Sequence, residues 1–483
     1  MASTASSNVW TAESMAALVN RQRKAFLSEL PVSAATRIDR LDRAIALLLD
    51  NEARFADTLS DDYGCRPRDL SRFAEVAASL GPLKHARKRV RRWMKPERRM
   101  PDFPFGLLGC RARIEYVPKG VMGIISPWNF PVFLTFLPLT GALAAGNRVI
   151  LKPSEHTPAT AELIAELIGR AFDESEVAVC VGGPEVGKAF SELALDHLLF
   201  TGGTAIGRHV MRAAAENLVP VTLELGGKSP VVVGRSADLR RTARSVAVGK
   251  LLNAGQICIA PDYAFVPSEL IRDFVEAVEA QVRSMYPSIR GNPQYTSIIN
   301  QHHFNRLRSL LNEARESGAE VREIVTGHDD PSAEPFLKIP PTLVIGPSDG
   351  LRLMREEIFG PILPIKGYRD NDEVIAYLND RPRPLCLYYF GHDADERSRV
   401  LSCTVSGGVT INNTLVHALI EALPFGGIGA SGMGVYRGID GFRAFTHPRA
   451  VFTSPKINLW KLMGLQPPYG NALRRTLARE LRG

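Results

Sequence analysis

From Ile114 onward the chain alternates short apolar runs with longer helical stretches, and this rhythm limits its fold more than any other feature. The runs VMGII, NRVILK, VAVCV, HLLF, VTLEL and PVVV are separated by stretches such as HTPATAELIAELIGRAF and AIGRHVMRAAAE. Such alternation predicts a parallel sheet covered by helices on both faces. After Cys258 it repeats through AFVPSELIRDFVEAVEAQV, PTLVI, PILPI, DEVIAYLN, LCLYYF and GGVTINN. The expectation is α/β: two successive doubly wound domains that meet near Gly226–Gly227. The first hundred residues read as helices, since RIDRLDRAIALLLDNEARFADTLSDD places apolar residues three and four apart. The tail after His447 has little regular pattern and reads as an arm or cap.

Length agrees with two domains, because 483 residues exceed what one compact core holds. With 45% hydrophobic and 23% charged residues, the composition is that of a soluble globular protein. The six cysteines are widely spaced and form no CxxC pair, so neither a disulfide framework nor a metal site is expected. A reducing cytoplasm suits them. The start, MASTASSNVW, lacks the pattern of a signal peptide.

The stretch from Val121 to Asn147 carries no charge and is long enough to span a bilayer. Pro127, Pro131 and Pro138 interrupt it, and Asn129 would be stranded in lipid. A buried strand, a turn and a core helix fit better, so no membrane span is expected. The net charge is +8, and much of the excess lies in Lys84–Arg99. Without a nucleic-acid-binding motif beside it, this basic run reads as a solvated helix end, and no nucleic-acid partner is expected.

Three glycine clusters resemble phosphate loops. GGKS at 226–229 lacks the glycine that a P-loop needs at position 222, where Thr222 stands. GGIGASG has GxGxxG spacing at Gly427, Gly429 and Gly432, but no strand precedes it and no periodic helix follows. It reads as a loop able to flank a site. FTGGTAIGRHV follows the strand HLLF and opens a helix, so Gly202, Gly203 and Gly207 let a helix N-terminus approach a pyrophosphate. Its spacing is GxxxxG, and alone it would be a plain strand-to-helix turn.

Two residues carry the chemistry. Cys258 lies in the apolar NAGQICIAP, and Glu224 lies in VTLELGGKSP. A thiolate is a strong nucleophile, and a carboxylate shielded from water can act as a general base. Read without context, Cys258 is a buried structural cysteine and Glu224 a strand-end carboxylate paired with Lys228.

SPWNFP (126–131), ILKPSE (150–155), FTGGTAIG (200–207), LELGGKSP (223–230), GQICIAP (255–261) and EEIFGPILP (356–364) together resemble the aldehyde dehydrogenase superfamily, in its order. LPFGGIGASGMG (423–434) and PPY (467–469) resemble the class 3 branch and its coniferyl-aldehyde group. The resemblance implies a Rossmann-like NAD(P)-binding domain over 1–98 and 118–226 and a catalytic domain over 227–445. It further implies a β bridging and oligomerisation element over 99–117 and 446–483.

It also implies roles. Cys258 is the nucleophile, Glu224 the general base, and Asn129 joins the Cys258 backbone N–H as an oxyanion hole. Losing such a donor typically costs about 3 kcal/mol of transition-state stabilisation. Lys152 and Glu155 hold the adenosine ribose, Glu357 and Phe359 contact the nicotinamide ribose and ring, and Trp128 and Leu225 belong to the same cofactor site. A carboxylate at 155 disfavours a 2′-phosphate, so NAD is expected over NADP, with NADP also possible. Ile257 stands where the branch commonly has threonine, and Gly203 where many relatives have serine. The implied reaction converts an aromatic or medium-to-long aliphatic aldehyde, coniferyl aldehyde among them, to its acid through a cysteine thioester. A homodimer is expected, with a tetramer as the alternative. Transfer of the acyl group to coenzyme A, a non-catalytic binding relative and a cysteine hydrolase are the rival readings.

Overall fold

The computed structural model describes residues 10–103, 105–325 and 337–481. Two compact units are present: the chain up to Val90 with Pro118–Phe445, and Arg91–Val117 with the chain from Thr446.

The larger unit contains two sheets. One is six-stranded, in the order Gly432–Met433, Val221–Leu225, His197–Gly202, Val121–Ile125, Arg148–Lys152 and Val177–Val179. Its pairings are parallel except for the Gly432–Met433 edge, which runs antiparallel to Val221–Leu225. All five residues of Val121–Ile125 and of Arg148–Lys152 are buried, as strands covered on both faces must be. Leu198 and Phe200 face a cluster that includes Met15, Leu18 and Val210, from the helices Ala12–Glu29 and Thr204–Glu216. Leu199, between them, is buried on the opposite face. Truncating a side chain such as Ile150, 0% exposed, costs about 2–5 kcal/mol at such a site.

The uncharged stretch resolves into the strand Val121–Ile125, a turn, and the helix Phe133–Ala145, buried nearly all round. Gly146 ends that helix at φ 89°, a conformation glycine adopts freely. Among the described residues no helix is long and apolar enough to cross a membrane.

The second sheet is seven-stranded: Glu320–Glu323, Thr342–Ile345, Ile362–Tyr368, Tyr263–Pro267, Pro230–Val233, Cys386–Phe390 and Gly408–Ile411. It is parallel apart from its Glu320–Glu323 edge. The chain passes from one sheet to the other between Leu225 and Pro230, at the Gly226–Gly227 pair. It returns to the first sheet at Gly432–Met433, and Gly438–Ala444 packs on Phe133–Ala145.

The smaller unit is a three-stranded sheet of Glu97–Arg99, Arg111–Pro118 and Thr446–Thr453. Its tail also forms the helix Asn471–Glu480, which buries none of its residues. That helix was not expected from the sequence, because its apolar period is carried by Leu473 and Leu477 alone among large side chains within ten residues.

Candidate active site

After the helix Leu239–Leu251 the chain makes a tight turn in which Asn253 and Ala254 both have φ 51° and Gly255 has φ 76°. Side chains rarely occupy this region, and such turns persist only where the surroundings enforce them. A Cβ on Gly255 would overlap the Gly360 carbonyl. Gln256 ties the turn to its surroundings: its Nε2 donates to the Asn253 and Ser297 carbonyls at 3.0 Å, and its Oε1 accepts from Ile299 N–H at 3.0 Å. Cys258 is presented two residues later between buried Ile257 and Ile259. Burial, then the carboxylates of Glu224 and Glu357, push its thiol well above the ordinary range.

Glu224 lies on Val221–Leu225 and is 2% exposed. Neither carboxylate oxygen has a hydrogen-bond partner among the described residues. Burial raises its pKa well above the usual value, and Arg437 opposes that shift. Lys228, its expected partner on the plainer reading, instead binds Asp262 and donates to the Leu353 carbonyl at 2.7 Å and the Glu356 carbonyl at 3.0 Å. Glu224 is thus a buried acid with unused hydrogen-bonding capacity.

Asn129 is 3% exposed, and its Nδ2 donates to the Gln256 carbonyl at 3.1 Å. An amide nitrogen carries two hydrogens, so a second donor is left to serve a ligand. The Asn129 carbonyl accepts from the Tyr63 hydroxyl at 3.1 Å and from Asn253 Nδ2 at 3.2 Å. A buried ion pair stands behind this loop. Arg66 and Glu75, both fully buried, approach to 2.9 Å. Glu75 Oε2 accepts from the Val132 and Phe133 N–H groups at 3.0 and 2.8 Å, where the following helix begins. Burial pushes the Glu75 carboxyl up to about 7, against the pull of Arg66 and those two donors.

Leu134, Glu224 and Cys258 line two cavities, of about 820 and 760 Å³. The larger brings together Trp128, Lys152, Glu155, Gly202, Gly203, Leu225, Glu357 and Phe359. Gly207 is not on its wall: a Cβ there would lie 2.5 Å from Leu225 Cδ2, so this glycine lets the helix pack on the strand. Lys152 Nζ meets Glu155 Oε2 at 2.8 Å. Burial would raise the Glu155 carboxyl, but Lys152 holds it below its usual value. Burial, and then Asp262, push the Glu357 carboxyl up to about 8. A Cβ on Gly226 would overlap that carboxylate, so any larger residue at the turn between the sheets would displace Glu357. Phe359, at φ 51°, sets its ring edge-on to Trp128 with centroids 5.2 Å apart.

This cavity suits a dinucleotide. The helix Thr204–Glu216 opens on its wall at Gly203 with no side-chain cap, so its first N–H groups are open to a phosphate. Among the described residues no cluster suited to a metal is found.

Sequence reasoning missed His303 and Arg306 on this wall. The His303 ring lies 5.1 Å from Trp128, and burial lowers its pKa to about 4. Arg306 donates to the Glu357 and Ile358 carbonyls at 3.3 and 2.5 Å, which fixes the EEIFGP turn. Neither sits in a glycine- or proline-marked motif, so no local signal pointed to them. The smaller cavity has aromatic walls, with Phe73, Phe130, Phe133 and Phe425 among them.

Two mainly parallel sheets, a dinucleotide-sized cavity and a half-buried thiol on the same cavity wall as a buried acid fit an oxidoreductase of the nicotinamide-dependent class. The chain belongs to the aldehyde dehydrogenase family, whose model matches residues 3–451. It is 51% identical to a probable coniferyl aldehyde dehydrogenase of Caulobacter vibrioides, covering 96% of each chain. It is 49% identical to a coniferyl aldehyde dehydrogenase of Pseudomonas sp. strain HR199, over 97% of this chain and 96% of the relative. Among solved structures, the substrate-bound AldH of Staphylococcus aureus superposes with a TM-score of 0.89 at 36% identity, covering 96% of this chain and 99% of that one. A Mycobacterium tuberculosis aldehyde dehydrogenase complexed with NAD+ gives 0.83 at 27% identity, covering 93% and 92%. The chain is an NAD(P)-dependent enzyme that oxidises an aldehyde to its carboxylic acid.

Proposed function

We propose that Cys258 is the nucleophile, Glu224 the general base and Asn129 the side-chain donor of the oxyanion hole, acting on an aromatic aldehyde of the coniferyl type. One observation carries this reading: Cys258 and Glu224 lie on the walls of both cavities, where a molecule in each would meet. Lys152, Glu155, Glu357, Trp128, Phe359, Leu225 and the turn of Gly202 and Gly203 would hold the dinucleotide, which would supply the hydride acceptor, while Gly207 seats the helix that follows that turn.

The Cys258 thiol gives up its proton to solvent water, and its sulfur adds to the aldehyde carbon. The free N–H of the Asn129 amide and the Cys258 backbone N–H receive the oxygen as it gains charge. Loss of hydride from that carbon leaves an acyl thioester on Cys258. Glu224 then takes a proton from water as the water attacks, the carbon–sulfur bond breaks, and the acid leaves. An acid buried this fully is neutral at rest, so it must ionise before it can serve as base. Hydrolysis should therefore speed up as pH rises through its titration.

The aromatic walls of the smaller cavity, and the names carried by the Caulobacter and Pseudomonas relatives, support the substrate class. The Glu155 carboxylate supports NAD over NADP. The smaller unit exposes Met100, Leu107 and Trp460, at 93%, 83% and 65%, and such apolar exposure supports homodimerisation through it. The six unpaired cysteines support a reducing, cytoplasmic setting.

Replacing Glu224 by Gln tests the assignment. NADH should form as a single stoichiometric burst and then stall, because the thioester forms but water is not activated. Unchanged steady-state turnover would remove Glu224 from the role. Release of acyl-coenzyme A on adding coenzyme A would favour the rival thioester acceptor.

A further inference from the structure

The aromatic cavity has a polar corner that this chemistry leaves unused. Arg437 lines it and is 4% exposed. Its Nε and Nη1 make no hydrogen bond among the described residues. The Glu421 carboxylate, on the same wall, lies 3.6 Å from Nη1, beyond good hydrogen-bond range, and its Oε2 is also unpartnered. The guanidinium rests over the Phe133 and Phe425 rings, at 5.9 and 6.0 Å from their centroids. A guanidinium stays charged when buried, and leaving its donors unfilled is unfavourable.

The backbone adds an independent sign. Arg437 has φ 152°, a region that glycine tolerates and other residues avoid. An arginine held in a strained backbone, with open donors on a cavity wall, is poorly explained by packing alone. Such features gather where a ligand is bound.

We propose that Arg437 and Glu421 together recognise a hydroxyl group on the substrate, remote from its aldehyde carbon. A guanidinium only donates and a carboxylate only accepts. A hydroxyl does both, so it satisfies the pair. A carboxylate substituent is repelled by Glu421, an ether fills one partner, and a hydrocarbon fills neither. With phenyl rings lining the same cavity, the matching class is hydroxyaryl aldehydes. This rests on the aromatic cavity being the aldehyde site, as the proposed function has it.

The experiment compares 4-hydroxycinnamaldehyde with cinnamaldehyde through the ratio of their kcat/KM values, in the wild type and in Arg437→Met and Glu421→Gln. Arg437 also acts on the charge of Glu224, so its loss alters deacylation for both aldehydes. That contribution cancels in the ratio, as does any general loss of folded enzyme. Recognition of the hydroxyl requires the ratio to fall by roughly tenfold or more in each variant, because the site's polar groups are left unpaired. A ratio within twofold of wild type in both variants overturns the proposal while leaving the aldehyde-oxidation reading intact. Failure of the wild type to oxidise either aldehyde overturns the aromatic-site reading and the proposal with it.

Discussion

Replacing Tyr63 by Phe removes one oxygen atom and tests how Asn129 is held. Tyr63 is 3% exposed, and its ring packs 6.4 Å from Trp128 and 4.9 Å from the Arg66 guanidinium. Its single hydroxyl hydrogen is shared between the Trp128 carbonyl at 3.2 Å and the Asn129 carbonyl at 3.1 Å. Phenylalanine keeps the ring contacts but leaves the Trp128 carbonyl without this partner, while Asn129 retains Asn253. Losing a buried hydrogen bond and stranding one acceptor costs about 1–2 kcal/mol of stability. Asn129 keeps its bond to Gln256 but loses one anchor, so only part of the ~3 kcal/mol value of an oxyanion donor is at risk. A loss of about 1 kcal/mol corresponds to a kcat lowered roughly fivefold. The assay pairs urea unfolding with single-turnover NADH formation at saturating NAD. Stability lowered as expected, with a hydride-transfer rate within twofold of wild type, would refute the claim that Tyr63 positions the oxyanion donor.

Charge placement gives two more expected outcomes. Replacing Glu155 by Gln removes the like charge facing a 2′-phosphate, so the NADP-to-NAD ratio of kcat/KM should rise about tenfold; no change would place the ribose elsewhere. Glu176 is gripped by Arg40 Nε and Arg43 Nη1, each at 2.8 Å. Burial alone would raise its carboxyl, but the two guanidiniums bring it down to about 2. A carboxyl lowered on folding stabilises the fold above its ordinary pKa of 4.5, and that gain fades as pH falls toward 2. Glu176→Gln should therefore cost about 2 kcal/mol at pH 7, after allowing for solvent screening, and the gap should narrow at pH 3. An equal gap at both pH values in urea unfolding would contradict this.

Much of the larger unit was legible because parallel strands buried on both faces leave unbroken apolar runs, as Val121–Ile125 and Arg148–Lys152 do. Gly432–Met433 was not, since two residues beginning with glycine show no side-chain alternation, and only their pairing with Glu224 and Leu223 makes them a strand. The same pairing explains why the GGIGASG loop flanks the candidate site: a Cβ on Gly432 would overlap the Leu223 carbonyl. At the site, residues within tight glycine or proline turns announced themselves. Tyr63, Glu75 and Arg66 did not, because Tyr63 and Glu75 bond to distant backbone and Arg66 is held by its ion pair with Glu75 and by the Tyr63 and Phe130 rings. Arg437 and Glu421 escaped notice for a related reason: they lie 16 positions apart in loops that only the fold brings together.

Peptide mass mapping of the Glu224→Gln enzyme, quenched after one turnover with NAD and aldehyde, tests the covalent claim most directly. The peptide holding Cys258 should gain the mass of the aldehyde less two hydrogens, in step with the NADH formed. NADH appearing with that peptide unmodified, or with the acyl group on another residue, would contradict the account.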